Sequence, residues 1–330
     1  MITRECYAKI NLSLDVTGRR PDGYHEVRMI MASVGLHDTL KMEFTGSERV
    51  KDINDIHVTL EIASLYGRTG GEIGEFPIGD DNLIVRAAKA VMSEIVLIGE
   101  ASGDMAELIP DDAKGTIKIT LDKRIPMAAG LAGGSTDAAA ALIGVNELFG
   151  NPVDMKRLSE IGAKLGADIP YCMMGGVALA EGIGEVLTPI ECGADLIIAL
   201  AKPESSVSTP HVYKALDAMD EAALVHPDVD GMREAVIAGD TDTIVKKLGN
   251  ILEYVTIPEC PDVRKIKDIF MEEGARAALM SGSGPTVFAI CDDRDAADRC
   301  VRKVLEAGLS TKSRSAVTGI LTPERRLYGS

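Results

Sequence analysis

Pro126-Met127-Ala128-Ala129-Gly130-Leu131-Ala132-Gly133-Gly134-Ser135-Thr136 is the stretch on which the reading of this chain turns. On its N-terminal side GTIKITLDKRIP (115–126) alternates as a half-buried strand and stops at Pro126. On its C-terminal side Ala138, Ala141, Leu142, Val145 and Phe149 form one stripe of a helix. Small residues between a strand and a helix N-terminus let backbone N–H groups approach a ligand closely, and the helix end adds unpaired donors and partial positive charge. That geometry suits a phosphate, with Ser135 and Thr136 as further hydroxyl donors. The loop is not a Walker A loop, because no Gly-Lys-Ser/Thr follows, and its glycine spacing is not GxGxxG. Read alone, an ordinary glycine turn with an N-cap accounts for the same residues.

Toward the N-terminus, YAKINLSLDV (7–16) sets Ile10, Leu12, Leu14 and Val16 against Lys9, Asn11, Ser13 and Asp15, which predicts a strand with Lys9 on its polar face. The Pro21-Asp22-Gly23 turn then presents Arg19, Arg20, Tyr24 and His25 ahead of a strand-like run through Val34. Farther on, Asp168 sits in LGADIP as a turn residue or helix cap. Lys9 and Asp168 are the residue types that phosphoryl transfer to a hydroxyl uses: a carboxylate to orient or deprotonate the alcohol, and an ammonium to offset charge. Read singly, the first is a solvated lysine and the second a cap, and their separation in sequence does not show that they meet. Ser281-Gly282-Ser283-Gly284 is a second glycine turn ahead of the strand TVFAIC, and alone it is a tight connection.

The rest of the 330 residues reads as two domains, 1–192 and 193–330, with the boundary ahead of the strand DLIIALAKP. A helix is predicted from DNLIVRAAKAVMSEI, with Leu83, Ala87, Ala90 and Val91 on one face, and another over 154–166. GADIPYCMMGGVALAEGIGEVLTPI reads as turn, strand, glycine turn and strand. Beyond the boundary come helices near 210–220, 229–238, 240–254, 261–273 and 294–307. Residues 45–80 and 98–114 read as polar, Gly-rich or acidic excursions.

Composition narrows the function. A formal net charge of −16 repels nucleic-acid backbones and anionic membranes, so neither is expected as a partner, and any anion site must be local. With no Trp, seven Tyr and five Phe, few aromatic platforms exist, and Tyr24, His25 and Tyr213 beside turn segments stand out. The six cysteines carry no CxxC and no metal-ligand spacing, and read as reduced core thiols. No targeting stretch and no long apolar run occurs, so a cytoplasmic location is expected.

These stretches, in this order, resemble the GHMP kinase superfamily of small-molecule kinases. PMAAGLAGGSTDAAA and SGSG carry the general signature. Within it, AKINLSLDVTGRRPDGYHEV, DDNLIVRAA, GADIPYCMMGG and AKPESSVSTPHVYKAL resemble the family that phosphorylates 4-diphosphocytidyl-2-C-methyl-D-erythritol, from residue 6 to about 290. The resemblance implies an α+β fold of two domains, an N-terminal unit like the second domain of ribosomal protein S5 and a C-terminal ferredoxin-like unit, with ATP, Mg2+ and the alcohol meeting in the cleft. It implies catalytic roles for Lys9 and Asp168, and adenine contacts for Asn82 and Leu83. It makes Pro126 to Thr136 the phosphate loop, with Asn11, Tyr24, His25, Asp168, Thr209, Tyr213 and Ser281 to Gly284 at the acceptor substrate. Thr136 stands where a second Ser is common, the excursions and the tail after residue 310 are longer than usual, and no acid that holds magnesium is identifiable. A monomer or weak homodimer is expected. The alternatives are a homoserine or mevalonate-type kinase of the same superfamily, which PDGYHEV disfavours, and an inactive relative that senses a metabolite, which the retained Lys9, Asp168 and loop disfavour.

Overall fold

The computed structural model describes residues 1–46, 56–67, 76–102 and 115–321. Its contacts divide the chain into two units: Met1–Tyr7, His37–Arg124 and Gly133–Met174 in the first, and Ala8–Leu36, Ile125–Ala132 and Gly175–Ser330 in the second. Strands β1 (Ile2–Arg19) and β2 (His25–Gly46) each carry residues of both units. The boundary expected near residue 192 falls inside the second unit, between β5/β6 (Val177–Glu181, Val186–Ile190) and β7 (Ile197–Ala201).

In the first unit, the C-terminal half of β2 pairs antiparallel with β4 (Gly115–Lys123), from Thr39 opposite Asp122 to Gly46 opposite Gly115. Strand β3 (Ile56–Leu65) pairs parallel with β4, which corrects the reading of 45–80 as one excursion. Its alternation, with Ile56, Leu60 and Leu65 buried, is obscured in the sequence by the polar residues on either side. The remaining parts of the two excursions, 47–55, 68–75 and 103–114, and the tail from 322 lie outside the described residues.

Helix α1 (Leu83–Ser102) buries Ile84, Val85, Ala88, Val91, Met92 and Ile95, and packs on α2 (Gly133–Leu148). The single stripe expected on α2 is corrected: every residue from Thr136 to Asn146 is buried. Alanine and glycine project so little that neighbours close in on every side, with Gly144 against Met42 and Ile2. Helix α3 (Met155–Leu165) matches its prediction and is capped by Asp154, whose carboxylate accepts the Arg157 N–H. The strand expected after Asp168 is instead a short helix, α4 (Ile169–Met174); Pro170 suits its first turn, and the Asp168 carbonyl accepts from Cys172 N–H at 2.9 Å.

In the second unit, β2 pairs with β5 and β5 with β6, all antiparallel. Strand β7 belongs to a four-stranded sheet with β9 (Ala277–Met280), β10 (Val287–Cys291) and β11 (Ser315–Gly319), ordered β11-β7-β10-β9 and antiparallel throughout. That order, with helices between β7 and β9 and between β10 and β11, is the ferredoxin-like arrangement. Phe288 sits at its centre, opposite Leu200 and Leu279, and is fully buried.

The helices of this unit are α5 (Thr209–Leu216), α6 (Val229–Ala238), α7 (Thr241–Lys247), α8 (Glu253–Glu259), α9 (Pro261–Glu272) and α10 (Arg294–Glu306). The helix expected over 240–254 is broken into α7 and α8 by β8 (Gly249–Asn250), which pairs parallel with Ser13 and Leu14 of β1. Gly249 and Asn250 are poor helix formers, and the pairing uses their backbone groups instead. The polar face of β1 is corrected too: Lys9, Asn11, Ser13 and Asp15 are all under a tenth exposed, so the strand is buried on both faces. Among the described residues no helix is long and apolar enough to cross a membrane.

Candidate functional site

Lys9 is the centre of the polar cluster in the second unit. It is 5% exposed, and its Nζ donates to Asn11 Oδ1 at 2.8 Å. No carboxylate pairs with it among the described residues, although burying an ammonium without a counter-charge is costly. Asn11 has its Nδ2 against the Met29 thioether at 3.1 Å, a weak acceptor, so Lys9 is the stronger of its partners. The site therefore holds a positive charge that an anion would complete.

Two turns meet beside that charge. The Lys9 N–H donates to the Leu131 carbonyl at 3.1 Å, tying β1 to the loop 125–132. Ser281 Oγ donates to the Gly130 carbonyl at 3.0 Å. A Cβ at Gly130 would stand 2.2 Å from the Ser281 carbonyl oxygen, and the residue holds φ +73°, so only glycine satisfies both the approach and the conformation. Ala128 and Ala132 also hold positive φ, at 47° and 56°, which costs a residue with a Cβ and is maintained by its surroundings. Ala129 and Leu131 are buried in the core, whereas Met127 and Ala128 are exposed and Pro126 is buried.

The turn 281–284 is held from three directions. Asn250 Nδ2 donates to the Met280 and Gly282 carbonyls at 2.9 and 2.8 Å, and Thr256 Oγ1 to the Ser283 carbonyl at 3.1 Å. Thr209 Oγ1 and Ser283 Oγ are 2.7 Å apart, joining α5 to the turn. Asn250 and Thr256 escaped sequence reasoning because nothing local marks them; their partners lie 27 to 32 residues away.

Tyr213 of α5 meets His25. The His25 and Tyr213 rings lie with centroids 4.9 Å apart, tilted by 36°, too close to admit a base between them. His25 Nε2 lies 2.7 Å from Asp217 Oδ1, and Arg19 reaches the other oxygen of that carboxylate at 3.3 Å. Tyr24 is 60% exposed, with its N–H held by Asp22. Asp217 is a further residue that the sequence alone did not single out.

The first unit holds the other expected residues. Asn82 caps α1: its Oδ1 accepts the Ile84 N–H at 2.8 Å and its Nδ2 donates to the Pro77 carbonyl at 2.6 Å. Leu83 begins that helix and is half-buried. Gly133, Gly134, Ser135 and Thr136 open α2, and Thr136 Oγ1 is buried with no partner among the described residues. Asp168 is half-buried at the start of α4, and its carboxylate has no hydrogen-bond or ion-pair partner among the described residues. The second unit thus holds the Lys9 ammonium without a carboxylate partner, and the first holds the Asp168 carboxylate without a cation, among the described residues.

Comparison with known proteins adds an independent line. Residues 82–176 match the model of the GHMP kinases N terminal domain, and residues 232–309 that of the GHMP kinases C terminal domain. A 4-diphosphocytidyl-2-C-methyl-D-erythritol kinase from Lachnospira eligens is 41% identical over 301 residues, covering 91% of this chain and 92% of its own. A crystal structure of 4-(cytidine 5'-diphospho)-2C-methyl-D-erythritol kinase superposes with a TM-score of 0.71 at 30% identity, covering 97% of this chain and 99% of its own. An L. major mevalonate kinase, at 15% identity and a TM-score of 0.68, covers 98% of this chain and 97% of its own and shares the fold.

The unpaired charge of Lys9 makes a prediction. Lys9→Met, which keeps the stem and removes the ammonium, raises the thermal unfolding midpoint of the ligand-free protein and abolishes most of the stabilisation that a nucleoside triphosphate confers on the parent. Differential scanning calorimetry with and without nucleotide reads both effects.

Proposed function

The chain belongs to the GHMP kinases, in the family of the 4-diphosphocytidyl-2-C-methyl-D-erythritol kinases, and on that premise we infer that it phosphorylates that alcohol with ATP. The reaction transfers the γ-phosphate of ATP to the 2-hydroxyl of 4-diphosphocytidyl-2-C-methyl-D-erythritol and releases ADP, a step of the non-mevalonate route to isoprenoid precursors. The observation within the chain that best supports a phosphorylated ligand is the buried Lys9 ammonium without a carboxylate partner among the described residues.

The roles of individual residues follow from their chemistry. Backbone amides of Ala128 to Thr136 take the ATP phosphates, a role supported by the positive φ at 128, 130 and 132, the kind of backbone that anion-binding turns use, and by the helix start at Gly133. Lys9 offsets negative charge on the transferring phosphoryl group, and Asn11 holds its ammonium in place. The unengaged carboxylate of Asp168 orients or deprotonates the acceptor hydroxyl. Leu83 and the cap of α1 at Asn82 contact adenine; both side-chain polar atoms of Asn82 are committed to backbone, which assigns recognition there to main-chain groups and apolar surface.

Cytosine recognition falls to Tyr24, His25 and Tyr213. Because the His25 and Tyr213 rings already touch, the base does not enter between them and stacks on the outside of that pair, with Tyr24 as the exposed second platform. Thr209 and Ser283 are joined to one another and flank the acceptor side with Ser281, Gly282 and Gly284.

Bound together with the nucleotide, Mg2+ would neutralise negative charge on its phosphates. We assign the chain to the cytoplasm, where ATP is available and thiols stay reduced; its six cysteines form no disulfide. We also expect a monomer or weak homodimer without nucleic-acid or membrane partners, in keeping with the net charge of −16.

ADP release from MgATP, measured with 4-diphosphocytidyl-2-C-methyl-D-erythritol beside homoserine, mevalonate and no acceptor, tests the reaction directly. Turnover with the cytidyl substrate alone is expected, and turnover with another acceptor only would overturn the cytosine assignments. Asp168→Asn lowers kcat by ~10²-fold or more while KM for the acceptor changes little. In the same assay Tyr213→Ala raises the acceptor KM by roughly tenfold, as loss of one base stack does, and leaves that for ATP unchanged. Gly130→Ala, which would drive a methyl group into the Ser281 carbonyl, raises the KM for ATP by about tenfold or more.

A further inference from the structure

Beneath the opening of α2 lies a sealed ionic cluster that the functional reading leaves unused. Lys123 Nζ, at the end of β4, donates to Asp137 Oδ2 at 2.6 Å and also to Asp38 Oδ2. The three side chains are at most 3% exposed. All belong to the first unit, with Asp38 on β2 and Asp137 the fifth residue of α2.

One ammonium cannot neutralise two carboxylates, and a residual charge in such a place is costly. The bonding identifies which carboxyl takes up the proton. Asp38 uses both oxygens, Oδ2 for Lys123 and Oδ1 for the Arg124 N–H. Asp137 uses only Oδ2; its Oδ1 is buried with no partner among the described residues.

We propose that Asp137 is a positioning residue that works as a neutral carboxylic acid, anchoring α2 through Lys123 to the β4–β2 sheet while keeping the ground behind the phosphate-binding amides free of negative charge. The proposal rests on the reading of 126–136 as the ATP phosphate loop. An ionised Asp137 would set a net charge of −1 one turn behind the amides of Gly133, Gly134 and Ser135, in a region without water to screen it, and would oppose the triphosphate. Protonated, the cluster is neutral and the helix N-terminus keeps its full pull on an anion.

The groups facing Asp137 support its protonation. Burial pushes its carboxyl up; Lys123 draws it down and Asp38 pushes it up again, leaving it at about 8. Burial works against the Lys123 ammonium, but both carboxylates outweigh it, so that group stays charged. Cys6, on β1, is raised well above its usual range by burial, then by Asp137 and Asp38, and remains a thiol. An Asp in the unfolded chain titrates near 3.9, about four units lower, so the native state holds the extra proton between those values. The stability drawn from that proton is greatest at the acid end of the window and is lost as pH rises through about 8.

The test combines infrared difference spectroscopy with ATP binding at a series of pH values, on the parent, Asp137→Asn and Asp38→Asn. The parent should show at pH 7 the carbonyl stretch of a neutral carboxylic acid, missing in Asp137→Asn. Its ATP affinity should fall roughly 3- to 10-fold between pH 7 and about pH 9.5, and Asp137→Asn, whose amide cannot ionise, should flatten that profile. Asp38→Asn leaves Asp137 as the one carboxylate beside Lys123, so the cluster is neutral with Asp137 ionised; this variant should lose the acid band at pH 7 and, like Asp137→Asn, flatten the alkaline fall in ATP affinity. Absence of the acid band, or a parallel alkaline loss in the parent and Asp137→Asn, overturns the proposal. An acid band that disappears near pH 8 with no change in ATP affinity overturns the link to the nucleotide. Should Asp137→Asn not fold, the parent profile and Asp38→Asn still decide. Failure of the phosphate-loop reading shows separately, as unchanged ATP affinity in Gly130→Ala.

Discussion

The close approach of Gly130 to Ser281 is the constraint on which the second unit's site depends. A carbonyl oxygen occupies the volume where any other residue would carry its Cβ, and the Ser281 hydroxyl closes the contact on the Gly130 carbonyl. This brings two glycine turns, separated by about 150 residues of chain, into backbone contact. Lys9 is tied to one of them through its own N–H, and a Cβ at Gly282 of the other would lie 3.5 Å from its ammonium. The remaining polar contacts, from Asn250, Thr256 and Thr209, hold the second turn in the position that this approach demands.

Among the described residues three lysines are buried, Lys9, Lys123 and Lys202, and the first two are treated in opposite ways. Lys123 is overcompensated, with two carboxylates and a backbone N–H arranged so that every group except one Asp137 oxygen is engaged. Such a cluster has no charge to spare, and its effect is to fasten three elements of one unit together. Lys9 is undercompensated, with a neutral amide as its side-chain partner, and its charge is available to a ligand. Lys9 and Lys123 thus differ in the inventory of their neighbours, which burial alone does not reveal.

Much of the architecture was legible in local pattern. The strand 115–123, the helices over 155–165, 229–238, 261–272 and 294–306, and the strands 197–201 and 287–291 follow from periodicity and turn residues. The misreadings share a cause. Strand 56–65 was hidden by polar flanks, the helix after Asp168 by a short apolar run that fits either state, and the break at 249–250 by a helical pattern that a parallel pairing with β1 interrupts. In each case a partner distant in sequence decided between local states of similar energy.

The site divides along the same line. By itself the sequence determined residue types at spacings that carry chemistry: glycines where only glycine fits a left-handed turn, a lysine two residues before an asparagine on one strand face, an aspartate at a helix start. These are legible because they depend on backbone geometry, which acts over a few residues. Only the tertiary structure decided that the polar face of β1 is buried, that Asn250 and Thr256 brace the SGSG turn, that His25 rests on Tyr213 and Asp217, and that Lys123 is shared by two carboxylates. Burial and charge balance are sums over neighbours from distant parts of the chain, and no local pattern contains those sums.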